Sequence, residues 1–149
     1  MRLLVLFICL VIALTLSGCS GTSEPTDGTT LAQCYATEFG TPPPPAVRNL
    51  RAKQVIVGDA AGAWLRFEAD SNTVSQIISN RFTKSDLTDF KIYGDYDGGN
   101  TPGWWHPQLD VLTAFYINTQ WRPGSNYSIA VVAYDATNQL VYFHHGMSF

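Results

Sequence analysis

Polar and apolar positions divide the chain into three stretches. Leu3 to Leu16 is a nearly unbroken apolar run, residues 20–46 offer little to bury, and from Val47 onward short apolar runs alternate with turns. In the third stretch, Arg51 to Val57 ends on Val55-Ile56-Val57, and Gly58-Asp59-Ala60-Ala61-Gly62 reads as a turn. Ala63 to Ala69 then alternates, with Ala63, Leu65, Phe67 and Ala69 on one side and Trp64, Arg66 and Glu68 on the other. Period-two alternation on both sides of a turn predicts a hairpin with one half-buried face. Asp70-Ser71-Asn72 supplies three good helix N-caps, and Val74, Ile77, Ile78 and Phe82 follow the spacing of a helical stripe. Thr83 to Phe90 reads as a short turn or a second helical segment, and Ile92 to Pro107 as a loop rich in glycine and aromatics.

Three strands close the chain: Leu112 to Trp121, Tyr127 to Tyr134 and Leu140 to His145. Arg122-Pro123-Gly124-Ser125 suits a type II turn, with proline presetting φ and glycine accepting φ > 0. Asp135-Ala136-Thr137-Asn138 suits a type I turn with Asn138 taking the left-handed position. Connections this short force antiparallel neighbours. The expected order is β-β-α-β-β-β: a two-layer α+β domain over residues 47–149, its sheet of about five strands covered by one main helix.

The first stretch is an export signal by its pattern. Met1-Arg2 is a short basic start, and the apolar run after it would span about 21 Å as a helix at ~1.5 Å per residue. A hydrocarbon core is ~30 Å thick, so the run suits a cleavable signal better than a permanent span. Small residues then sit immediately before a cysteine: Leu16-Ser17-Gly18-Cys19. This resembles the lipobox of bacterial lipoproteins. The resemblance covers the N-terminal segment only. It implies cleavage after residue 18, diacylation of the Cys19 thiol and attachment to a lipid bilayer of the cell envelope, facing the periplasm or the surface. Each buried methylene is worth ~0.8 kcal/mol, so one acyl chain binds marginally and two or more anchor stably. Ser20, rather than aspartate, follows the cysteine; by the same resemblance this favours the outer over the inner membrane.

Residues 19–46 are then the lipidated cysteine and a disordered tether rich in Gly, Ser, Thr and Pro, closed by Pro42-Pro43-Pro44-Pro45. Such a coil would reach on the order of 30 Å and lift the domain off the bilayer. Cys9 falls in the signal and Cys19 in the lipobox, which leaves Cys34 as an odd thiol, either free in the tether or bridging to a second molecule.

Charge narrows the partners. The full chain carries −3, with Lys and Arg scattered singly. Nucleic-acid binders gather their basic residues on one face to neutralise phosphates, so nucleic acid is disfavoured.

Candidate chemistry is sparse. Gly94-Asp95-Tyr96-Asp97-Gly98-Gly99-Asn100 resembles the opening of a calcium loop. Counted from Asp95, however, the fifth, sixth and twelfth positions are Gly99, Asn100 and His106, none of which the pattern allows. His144 and His145 are neighbours on a predicted strand and point to opposite faces, so they cannot share one ion, and the expectation is no metal and no cofactor. No nucleophile elbow, zinc-protease motif or phosphate loop is present, and the carboxylates fall mostly at turns and caps. No catalytic residue is therefore nominated.

The aromatic residues form the strongest candidate. Pro102-Gly103-Trp104-Trp105-His106-Pro107 places two tryptophans in a loop, and Tyr116, Tyr134 and Tyr142 share even positions while Phe115, Ile117, Ile129, Val131, Val141 and Phe143 are odd. If the odd face meets the helix, the even face carries a row of tyrosines, with Trp64 opposite the apolar side of its own strand. The candidate binding surface is thus Trp64, Trp104, Trp105, His106, Tyr116, Tyr134 and Tyr142. The alternative is that the Trp-Trp loop folds over that face and closes a second small core, one tryptophan buried and the other exposed. The functional expectation is a non-enzymatic envelope lipoprotein that binds another envelope protein or a cell-wall glycan. A periplasmic inhibitor or immunity protein, and a small cell-wall hydrolase, stand as alternatives.

Overall fold

In a computed structural model the described residues are 21–57, 60–94, 100–122 and 128–147. They form one open antiparallel sheet with helices on both faces. In chain order the elements are β1 (Gly21–Ser23), α1 (Gly28–Phe39), β2 (Arg48–Val57), β3 (Ala60–Glu68), α2 (Ser71–Ile78), β4 (Thr83–Ser85), α3 (Leu87–Gly94), β5 (Ala114–Asn118), β6 (Ser128–Asp135) and β7 (Leu140–Met147). The strand order is β1-β2-β3-β7-β6-β5-β4. The α+β class is as expected, but the sheet has seven strands rather than about five. The two additions, β1 and β4, are three-residue edge strands too short to show a period.

The expectation of a disordered tether over 19–46 is overturned where α1 stands. Asp27 caps the helix by accepting the Thr30 N–H at 2.8 Å. Gly40 stops it in the left-handed conformation at φ 76°, its N–H donating to the Ala36 carbonyl. Between these signals Cys34, Tyr35, Glu38 and Phe39 are all buried, and Phe39 packs against Tyr35, Phe67, Trp121 and Phe143. The helix supplies an aromatic wedge that the core lacks without it. Cys34 is not in a disordered segment. It is free and buried, with its thiol 3.4 Å from the Gln54 side-chain oxygen.

α2 begins at its expected cap, with Asp70 accepting the Thr73 N–H at 2.7 Å. The stripe Val74, Ile77, Ile78 and Phe82 packs on the same face of the sheet as α1. The last three strands pair as expected, although the first is shorter than its apolar run. After Asn118 the chain turns so that Trp121 enters the core, its backbone N–H bonded to the Ser128 carbonyl at 2.9 Å. The turn predicted at Arg122–Ser125 lies mostly outside the described residues. In the β6–β7 turn the left-handed residue is Gln139, φ 56°, not Asn138. Asp135 accepts the backbone N–H groups of Thr137 and Asn138, and the Asn138 side chain returns to the same carboxylate at 2.7 Å. That local ring holds Asn138 and moves the reversal one residue on.

Register divides the tyrosines. Tyr116 pairs with Val132, and Tyr134 with Val141. Across β5–β6, paired residues share parity; across β6–β7 they do not. The helix-covered face therefore takes even residues from β5 and β6 but odd residues from β3 and β7: Tyr116, Tyr134, Phe67 and Phe143. Tyr142 falls on the other face with Trp64, Val131 and Phe115. The expected single row of tyrosines does not exist. The second face is not bare either, because Phe90 of α3 together with Trp105 and Leu112 closes a second core over it. The sheet is covered on both sides, which corrects the two-layer reading.

A groove floored by two opposed arginines

On the second face, β2, β3 and β7 place Arg51, Arg66 and Tyr142 in one cross-strand row: Arg51 pairs with Arg66, and Arg66 with Tyr142. The Arg66 guanidinium carbon stands 5.8 Å from the centroid of the Tyr142 ring. Like charges directly opposite across a sheet are destabilising, yet among the described residues neither arginine has an acidic partner. The Glu68 carboxylate beyond them accepts from the Asn49 side chain at 2.7 Å. Arg66 Nε is buried without a hydrogen-bond partner.

Residues 102–112 run over this row and turn it into a groove. Trp105 anchors them: it is 2% exposed, packs edge-on against Tyr142 at 5.4 Å, and donates its indole N–H to the Gly94 carbonyl at 3.2 Å. Trp104 stays partly exposed, with its indole N–H donated to Glu24 at 2.5 Å. The space left has a volume of about 420 Å³, within the usual range for small-molecule sites. Its walls are Arg51 and Arg66 below, Trp104, His106 and Gln108 from the loop, and Asp135, Asn138 and Leu140 from the β6–β7 turn. Burial alone would raise the Asp135 carboxyl, but the donors from Asn138 and Thr137 hold it below the ordinary range. Its oxygens are thus occupied by the turn.

The nominated residues are dispersed. Trp104, His106 and Tyr142 meet at the groove. Trp105 lies beneath it, and Trp64 is buried beside it, stacked on His144 at 4.6 Å. Tyr134 and Tyr116 belong to the opposite face, where Tyr134 is buried and donates its hydroxyl to the Ala69 carbonyl at 3.3 Å. Trp64, Trp105, Tyr134 and Tyr142 are each 6% exposed or less, so the candidate binding surface is corrected to the groove. Cys19 and the loop 95–99 lie outside the described residues. Arg51 and Arg66 are not among the residues that the sequence pattern singles out. The alternation that put Arg66 beside Trp64 was visible, but the strand pairing that sets Arg51 against it was not.

A second polar cluster lies under α1. Glu38 is 4% exposed and accepts from Trp121 Nε1 at 3.0 Å and from Arg122 at 3.2 Å. His145 Nδ1 stands 3.0 Å from Oε2, the oxygen that also accepts from Trp121, but off the line of the ring N–H, so that contact is electrostatic rather than a linear hydrogen bond. His145 Nε2 meets the Ser128 hydroxyl at 2.9 Å. Hydroxyl, imidazole and carboxylate stand in the order of a hydrolase relay. Ser128, however, is 1% exposed, and the carboxylate is shared with an indole and a guanidinium. The cluster ties α1 to β6 and β7. As strand alternation requires, His144 points the other way, its Nδ1 3.0 Å from the Ala63 carbonyl.

Fold and groove together define an α+β sheet domain with a cationic, aromatic-rimmed cleft on one face. No protein-family model, curated protein or solved structure matches the chain.

Proposed function

We propose that this is an envelope lipoprotein, acylated at Cys19, whose domain binds an anionic glycan of the cell wall in the groove. The opposed pair Arg51 and Arg66 carries the reading. Arg51 and Arg66 are opposed across the strands with no acidic partner among the described residues, and Arg66 Nε is buried and unpartnered, so an anion reaching both would offset their like charge. Planar guanidinium groups suit carboxylate or phosphate through paired hydrogen bonds. Trp104 at the rim offers a flat apolar face for a sugar ring, with His106 and Gln108 as polar contacts beside it.

The test is calorimetric titration of the domain with soluble peptidoglycan fragments, which carry carboxylates, against a neutral chito-oligosaccharide. The acidic fragments are expected to bind and the neutral sugar to bind more weakly. Arg51→Ala and Arg66→Ala should each cost ~1.5–3 kcal/mol of binding, about tenfold or more in affinity. Relief of the like-charge pair should leave their melting temperatures unchanged or slightly raised. Equal binding of both sugars, or affinity indifferent to both arginines, refutes the reading.

A further inference from the structure

The first described strand leaves no room for a tether. Gly21 is two residues from Cys19, and an extended chain covers at most ~3.6 Å per residue, so the two Cα atoms are no more than about 7 Å apart. Gly21 is already paired in the sheet, opposite Ile56. Ile56 is 47% exposed, one of two exposed large hydrophobic residues among those described. The other, Ile92, is on α3, at 56%.

We propose that the acylated protein sits flush on the bilayer by the β2–β3 end of its sheet, with Ile56 in the membrane interface. The occupant of this edge is the lipid surface that holds the acyl chains, and the inference rests on the reading of Cys19 as acylated. The acyl chains supply the affinity. Ile56 and the short strand β1 supply the orientation, because three residues hydrogen-bonded into the sheet leave little freedom to swing. The same geometry places the groove. Arg51 is five residues along β2 from Ile56, about 17 Å at ~3.4 Å per residue, and the β6–β7 turn, where Thr137 is exposed, caps the far end of β3. The groove is thus held at a set height above the lipid.

The test uses full-length lipidated protein in vesicles of phosphatidylethanolamine and phosphatidylglycerol. An environment-sensitive fluorophore is attached at Ile56→Cys in one variant and at Thr137→Cys in another, and spin-labelled lipids serve as quenchers. Cys34, 4% exposed, should stay unlabelled under native conditions, which the parent protein checks. Fluorescence at position 56 is expected to be lost and fluorescence at position 137 retained. Equal quenching at both sites, or none at either, overturns the proposal. Mass measurement of the mature protein separates the two failures. An unacylated chain sinks the anchoring reading together with this one, whereas an acylated chain with an unquenched label at position 56 sinks this one alone.

Discussion

Among single residues, Glu38 and His144 show how burial and charge are reconciled on the two faces of the sheet. Burial alone would raise the Glu38 carboxyl, but His145, Trp121 and Arg122 together hold it below its ordinary value. A depressed carboxyl contributes stability above pH 4.5 that is lost as pH falls through its folded value. Glu38→Ala strands buried donors and is expected to cost on the order of 3 kcal/mol, read as a lower urea midpoint. His144 takes the opposite course. Burial beside Trp64 pushes its imidazole down to about 4, only partly offset by its bond to the Ala63 carbonyl. The fold holds the ring neutral, so between pH 6.5 and about 4 the unfolded chain binds a proton that the folded one refuses. Stability should fall through that window by on the order of 3 kcal/mol, at ~1.4 kcal/mol per pH unit. Urea midpoints measured from pH 7 to pH 4 check this. In His144→Phe the slope should be shallower across that range although the protein is weaker at pH 7. An unchanged slope would remove His144 as its cause.

Among the elements, α1 carries the most consequence. Its burial stripe of Leu31, Cys34, Tyr35, Glu38 and Phe39 has helical spacing, and Asp27 and Gly40 bracket it with ordinary start and stop signals. These were legible. The surrounding Gly, Ser, Thr and Pro give the segment the composition of a tether and mask them, and the stripe itself carries a glutamate near its end. A buried glutamate is readable as core only once Trp121, Arg122 and His145 are known to meet it, and those residues stand more than eighty positions away. A chain starting at Val47 keeps six of the seven strands but loses the helix that covers Phe67 and Phe143. It is expected to unfold non-cooperatively and to bind hydrophobic dye, whereas a chain starting at Gly21 should melt in one transition. α2, by contrast, is legible through Asp70 and the stripe Val74, Ile77 and Ile78, because cap and stripe there agree; Phe82, which keeps the same spacing, lies past the end of the helix.

Across the whole molecule, the covering of both faces sets what is free to act. The helices α1 and α2 close one face, and α3 with residues 102–112 closes most of the other. The groove is the part of the second face over which the loop does not seal, and the residues at its floor are the charged ones. On the proposed reading, with Cys19 acylated two residues before Gly21, the groove and the membrane attachment would share one frame. If so, lengthening the chain between Ser20 and Gly21 with a flexible Gly-Ser insert should leave ligand affinity in solution unchanged. The same insert should abolish the difference in quenching between positions 56 and 137 on vesicles.

Local patterns determined the α+β class, the β2–β3 hairpin, the cap and stripe of α2 and the antiparallel run of the last strands. Each depends on periods and turns a few residues long, and such signals are complete within their own segment. Tertiary structure alone decided which strand faces coincide, because that depends on the parity of pairing across β6–β7, where one residue of register exchanges the two faces. It split Tyr142 from Tyr116 and Tyr134, set Arg51 against Arg66, drew Glu38 to His145, and turned a segment with the composition of a tether into part of the core. Those outcomes join residues far apart in the chain, and no local period carries the distance between them.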